Sequence, residues 1–102
     1  MDFEELINGL AGVLQSQING DLKKMKDYAR EIIQNRKTAL EELASLFLSG
    51  KITPEELASE IEDEKKVMEA QIEAMTGISK AAAQKATNAA LGYIQDYLLK
   101  LI

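Results

Sequence analysis

Glu41 and Glu42, with Ser45 three residues on, and Glu60, with Asp63 three residues on, come nearest in type and spacing to chemistry. Acids three or four apart share one helical face, and carboxylate oxygens are what a hard cation such as magnesium takes. Glu41 and Glu42, however, fall off the apolar seam of their segment, so a solvated acidic surface is the plainer reading. The chain has no His and no Cys, which removes the commonest general base, the thiolate nucleophile and the usual zinc ligands. Ser and Thr are left without a His partner, and nothing positions a Lys as base. The expectation is a chain that is not an enzyme, with no catalytic residue, cofactor, metal or small-molecule substrate.

The elements that must position these groups read as helices. In 102 residues, 46% are apolar, five are aromatic and one is Pro. That composition builds one all-α domain, 1–102, from Leu, Ile, Ala and Met. The sharpest boundary is central. Gly50 can take the left-handed conformation that ends a helix. Thr53-Pro54-Glu55-Glu56 then starts another, with Thr53 as N-cap, Pro54 at the first helical position, Glu56 completing a capping box and Ile52 stapling onto Leu57. Asn19-Gly20-Asp21 and Thr76-Gly77-Ile78-Ser79 are weaker breaks, so the spacing predicts helices over 3–19, 21–49, 54–76 and 79–101. Leu22, Met25, Ala29, Ile32, Arg36, Ala39, Leu43 and Leu46 alternate three and four apart as a coiled-coil seam. Leu57, Ile61, Glu64, Met68, Ile72 and Met75 form a second.

A short central link predicts an antiparallel helical hairpin turning at 50–53, with arms breakable near Gly20 and Gly77. Its four-helix-bundle-type core could form within one chain or by dimerisation. In such a hairpin the basic run Lys23, Lys24, Lys26, Arg30, Arg36 and Lys37 faces the acidic run Glu60, Glu62, Asp63, Glu64, Glu69 and Glu73. Arg36 and Glu64 sit on the two seams within about one turn of each other, as a pair that fixes helix register. Most charge lies in 21–75, and the outer quarters are apolar and rich in small residues. Ala86, Leu98 and Leu101, with Leu99 and Ile102, then read as a self-association surface. Tyr93 and Tyr97, one turn apart, stand at its edge.

A net charge of −5 and the lack of aromatics in the basic run argue against nucleic acid as a direct partner. No stretch reaches the ~20 apolar residues of a membrane span. Asp2, Glu4 and Glu5 replace the basic start of a Sec signal peptide, so the cytoplasm is the expected compartment.

Two families share parts of this outline. The carboxylates resemble those of MazG-type helical nucleotide pyrophosphohydrolases, which hold magnesium through Glu-Glu-x-x-Glu and a later Glu-x-x-Asp. Glu41, Glu42, Glu60 and Asp63 match, and Ser45 replaces the third Glu. The whole chain resembles WXG100-type secreted helical hairpins in its length, acidity, lack of Cys and central Gly turn, which would imply dimerisation and type VII export. The turn here reads Leu48-Ser49-Gly50, without Trp, and Tyr93 is followed four residues on by Tyr97 rather than an acid.

The function these residues imply is a non-enzymatic interaction or assembly protein acting through helix–helix contacts, as a homo-oligomer or with another helical protein. The alternative is an acidic adaptor or inhibitor of the phage or mobile-element type. It would present Glu60, Asp63 and Glu64 to a basic or nucleic-acid-binding partner.

Overall fold

Local capping chemistry sets most helix ends. In the computed structural model, which describes residues 1–101, Asp2 caps α1 (Phe3–Ile18) by accepting from the Glu5 N–H at 3.1 Å. Asn19 ends it in the left-handed conformation, φ 59°. Asp21 caps α2 (Leu22–Gln34), and Ser79 caps α6 (Lys80–Leu99) through the Ala82 N–H. After α3 (Lys37–Leu48), Gly50 turns at φ 73°. Its N–H bonds to Phe47 O, and the Lys51 N–H bonds back to Leu46 O, so the last carbonyls of α3 are satisfied as in a Schellman motif. Thr53 and Glu56 form a reciprocal capping box, both bonds at 3.1 Å, at the start of α4 (Pro54–Glu62). α5 (Lys65–Thr76) ends at Gly77, φ 69°.

The long segments expected over 21–49 and 54–76 are each divided, at Asn35–Arg36 and at Asp63–Glu64. Neither break contains Gly or Pro. At both, the backbone tightens. The Arg36 N–H bonds to Ile33 O and the Glu64 N–H to Ile61 O, three residues back instead of four. The first break shifts the apolar seam. Met25, Ala29 and Ile32 are buried in α2, but beyond the break Leu40, Ala44 and Phe47 are buried, while Ala39 is exposed and Leu46 is 38% exposed.

α6 is the axis of the packing, touching α1, α5 and α4; α2 packs on α1 and meets α5, and α3 lies against α4. α1 and α6 run antiparallel, since the Tyr97 hydroxyl donates to Asp2 O at 3.0 Å while Tyr93 lies over Gly9. Leu6, Leu10 and Leu14 of α1 and Ala83, Ala90, Leu91 and Ile94 of α6 form the middle of the core. Thr87, also buried, returns its hydroxyl to Ala83 O at 2.7 Å. The radius of gyration, 13.1 Å, matches the ~13 Å of a compact 100-residue chain. The longest dimension, 39 Å, is about half the ~75 Å that a straight 50-residue helical arm would span. All six helices fold onto one another, and the described residues contain no strand. None of the helices is long and apolar enough to cross a membrane.

Candidate functional site

Among the described residues Arg36 is the one charged residue in the core, 5% exposed. Backbone accounting explains its position. Because the Arg36 N–H turns to Ile33 O, the buried Ile32 carbonyl loses its helical donor at the α2–α3 break. The Arg36 side chain supplies one instead, with Nη1 2.9 Å from Ile32 O. The same Nη1 donates to Gln71 Oε1 at 2.8 Å, tying the break to α5. Glu64, at the α4–α5 break, brings Oε2 to 3.9 Å from Arg36 Nε, close enough for attraction and too far for a hydrogen bond. Two buried donors, Arg36 Nε and Gln71 Nε2, have no partner among the described residues. Burial pulls the guanidinium below its ordinary pKa, and Glu64 pushes it back up. An arginine stays charged through such opposing effects.

Arg36 lies at one side of a cleft of ≈ 270 Å³ between α3, α4 and α6. Leu40, Leu43, Ile61, Met68, Leu91 and Ile94 give it apolar walls, Leu46 and Ile52 also line it, and Glu42, Glu60 and Glu64 bring carboxylates to it. Glu42 and Glu60 are exposed, and neither has an ion-pair partner among the described residues.

The other residues singled out from sequence scatter. Glu41 faces a different, shallow depression beside Phe3 and Leu48, and Asp63 is exposed outside the cleft. Among the described residues no three acids stand close enough to hold a metal ion. Ala86 and Leu98 are completely buried in the core of the single chain. Tyr93, Tyr97 and Leu101 pack half-buried against its margin, with the tyrosine ring centroids 6.5 Å apart, and Ile102 lies outside the described residues. Burial raises the pKa of both tyrosines.

Among the described residues, the one ion pair that joins the expected basic and acidic runs is Arg36 with Glu64. Arg30 instead forks onto Glu4 of α1, Nη1–Oε1 at 2.6 Å and Nη2–Oε2 at 3.2 Å. Lys37 sits 5.2 Å from the Phe3 ring centroid. The reason is topological. The short link at Asn19–Asp21 lays α2 along α1, which brings Arg30 to Glu4 in the first turn of α1. Gln71 carries no sequence signal for its role, because its spacing is that of any half-buried polar residue on α5.

The chain matches no protein-family model, no curated protein and no solved structure.

Proposed function

We propose that this chain is a non-enzymatic interaction protein that works through helix–helix contacts, with α1, α2, α5 and α6 as a four-helix-bundle-type core and α3–α4 as the connection across it. The observation that carries this is the surface of α3. Leu46 stands 38% exposed at the cleft with apolar walls and Leu48 55% exposed at the shallow depression beside Phe3, and a partner helix on α3 would take both side chains out of water. In the self-associating form of this reading, contact runs through α3 and the half-buried margin of Tyr93, Tyr97 and Leu101, because Ala86 and Leu98 are spent on the chain's own core. Light scattering behind size exclusion, across a concentration series, tests it. A dimer or larger species that Leu46→Asp with Leu48→Asp dissociates is the expected result. A monomer at every concentration refutes self-assembly.

A second reading, an acidic adaptor docking on a basic partner, is favoured by a different observation. Glu60 and Asp63 are exposed and carry no ion pair among the described residues, in a chain of net charge −5. Capture of a basic partner that weakens steeply with salt is its expected signature, since screening acts on exposed charges.

A further inference from the structure

We infer that the α3–α4–α6 cleft receives the apolar face of a basic amphipathic helix from a partner protein, which rests on the adaptor reading and names its contact surface. Three features of the cleft point to this occupant. At ≈ 270 Å³ it falls below the ~300–1,000 Å³ of pockets that enclose a drug-sized ligand. It therefore suits a few inserted side chains of a larger body. Its walls are apolar, and Leu46 at 38% exposure extends them into solvent on α3, as a groove that takes helical anchors one turn apart requires.

Charge decides which helix. The buried Arg36 already has Glu64 as its counter-ion, Nε to Oε2 at 3.9 Å, and its Nη1 serves Ile32 O and Gln71. Glu42 and Glu60 remain at the cleft with no ion-pair partner among the described residues. Lysines or arginines flanking the inserted apolar residues complete those two carboxylates, whereas an acidic helix or a nucleic-acid backbone meets like charge. A second copy of this chain is poorly suited. Its basic helix, α2, has Met25, Ala29, Ile32 and Ile33 committed to its own core and offers Leu22 as its exposed large apolar residue.

The test uses the full chain and two labelled helical peptides, each with one leucine stripe, the remaining positions mostly Lys in one and mostly Glu in the other. Fluorescence anisotropy should show saturable binding of the Lys peptide, at least ~10-fold tighter than the Glu peptide. Leu46→Asn and the pair Glu42→Lys with Glu60→Lys should each weaken it about tenfold or more, by unfavourable burial and by charge reversal. Val67→Asn should leave it unchanged, since Val67 is 62% exposed and does not line the cleft. Melting curves check that each variant stays folded. The proposal is overturned if neither peptide saturates, if both bind equally, or if the cleft variants bind like wild type. In that last case, binding of the Lys peptide that still vanishes with salt leaves the adaptor reading standing on another face. Affinity that falls as the chain concentration rises assigns the cleft to a second copy, and overturns the proposal in that way.

Discussion

Replacing Arg36 by Met keeps the long unbranched stem and deletes the guanidinium, and the hydrogen bonds around it predict the consequence. In the native chain the buried groups without partners here are Arg36 Nε and Gln71 Nε2. In Arg36→Met the Nε is gone, but Ile32 O loses its donor and so does Gln71 Oε1. Three orphans replace two. A buried polar group left unpaired costs about 1–3 kcal/mol, so the variant should lose about that much. Glu64 adds little, because its side chain is 42% exposed and reverts to water. For a chain of this length the loss is a fall of about 4–8 °C in Tm per kcal/mol. Gln71→Met added to Arg36→Met removes both orphans on Gln71 and leaves only Ile32 O, so the double variant should be more stable than Arg36→Met by at least ~2 kcal/mol. Urea unfolding followed by circular dichroism, with m-values compared to exclude a changed unfolded state, measures all four corners of the cycle. An Arg36→Met variant as stable as wild type refutes the reasoning, as does a double variant no better than the single. The first result would mean that the core gains as much by losing a desolvated charge as it loses in pairing, and the second that the half-buried Gln71 amide finds water once the guanidinium is gone. A stabilised Arg36→Leu with unchanged oligomeric state would also remove any role of Arg36 and Glu64 in setting register.

Thr53→Ala removes the side-chain half of the capping box and should destabilise the chain by about 1 kcal/mol, read in the same urea titration; no change would mean that Pro54 alone holds the start of α4. A Cβ at Gly9 would overlap the Tyr93 hydroxyl, so Gly9→Ala should swing that ring outward and forfeit the ~1 kcal/mol that helix propensity offers. Adding Tyr93→Ala should recover that gain, and a Gly9→Ala variant stabilised on its own counts against the contact. The hydrogen bond from Arg30 holds the Glu4 carboxyl below its ordinary value of 4.5. The stability it contributes is therefore present above pH 4.5 and lost as pH falls through the lowered value. Glu4→Gln should flatten that part of the acid limb of stability against pH, while an identical limb would show that the pair is inert.

What sequence made legible was what neighbouring residues decide among themselves. Thr53-Pro54-Glu55-Glu56 and Gly50 mark their boundary because cap and capped groups lie within four residues. The breaks at Asn35–Arg36 and Asp63–Glu64 have no such marker. Each puts a charged residue of an apolar seam at the junction of two helices, and the Arg36 side chain then serves the carbonyl that its own N–H has left. Gln71 enters that arrangement only through the packing of α5, so no spacing along the chain announces it. Ala86 and Leu98 show the same limit. Their apolar periodicity says that they are covered, but not whether the cover is another copy or, as here, the rest of the chain.

By itself the sequence determined an all-helical chain, through its Leu, Ile and Ala content, its three-and-four periodicity and its caps, because helix formation and helix ending are local events. Tertiary structure alone decided that the arms fold back into a 39 Å body, that the basic face of α2 spends Arg30 on Glu4, and that Glu42 and Glu60 share a cleft with apolar walls. Those outcomes depend on which helices pack side by side, and packing is settled by the burial of whole faces at once. A one-dimensional pattern specifies each apolar face without naming its neighbour.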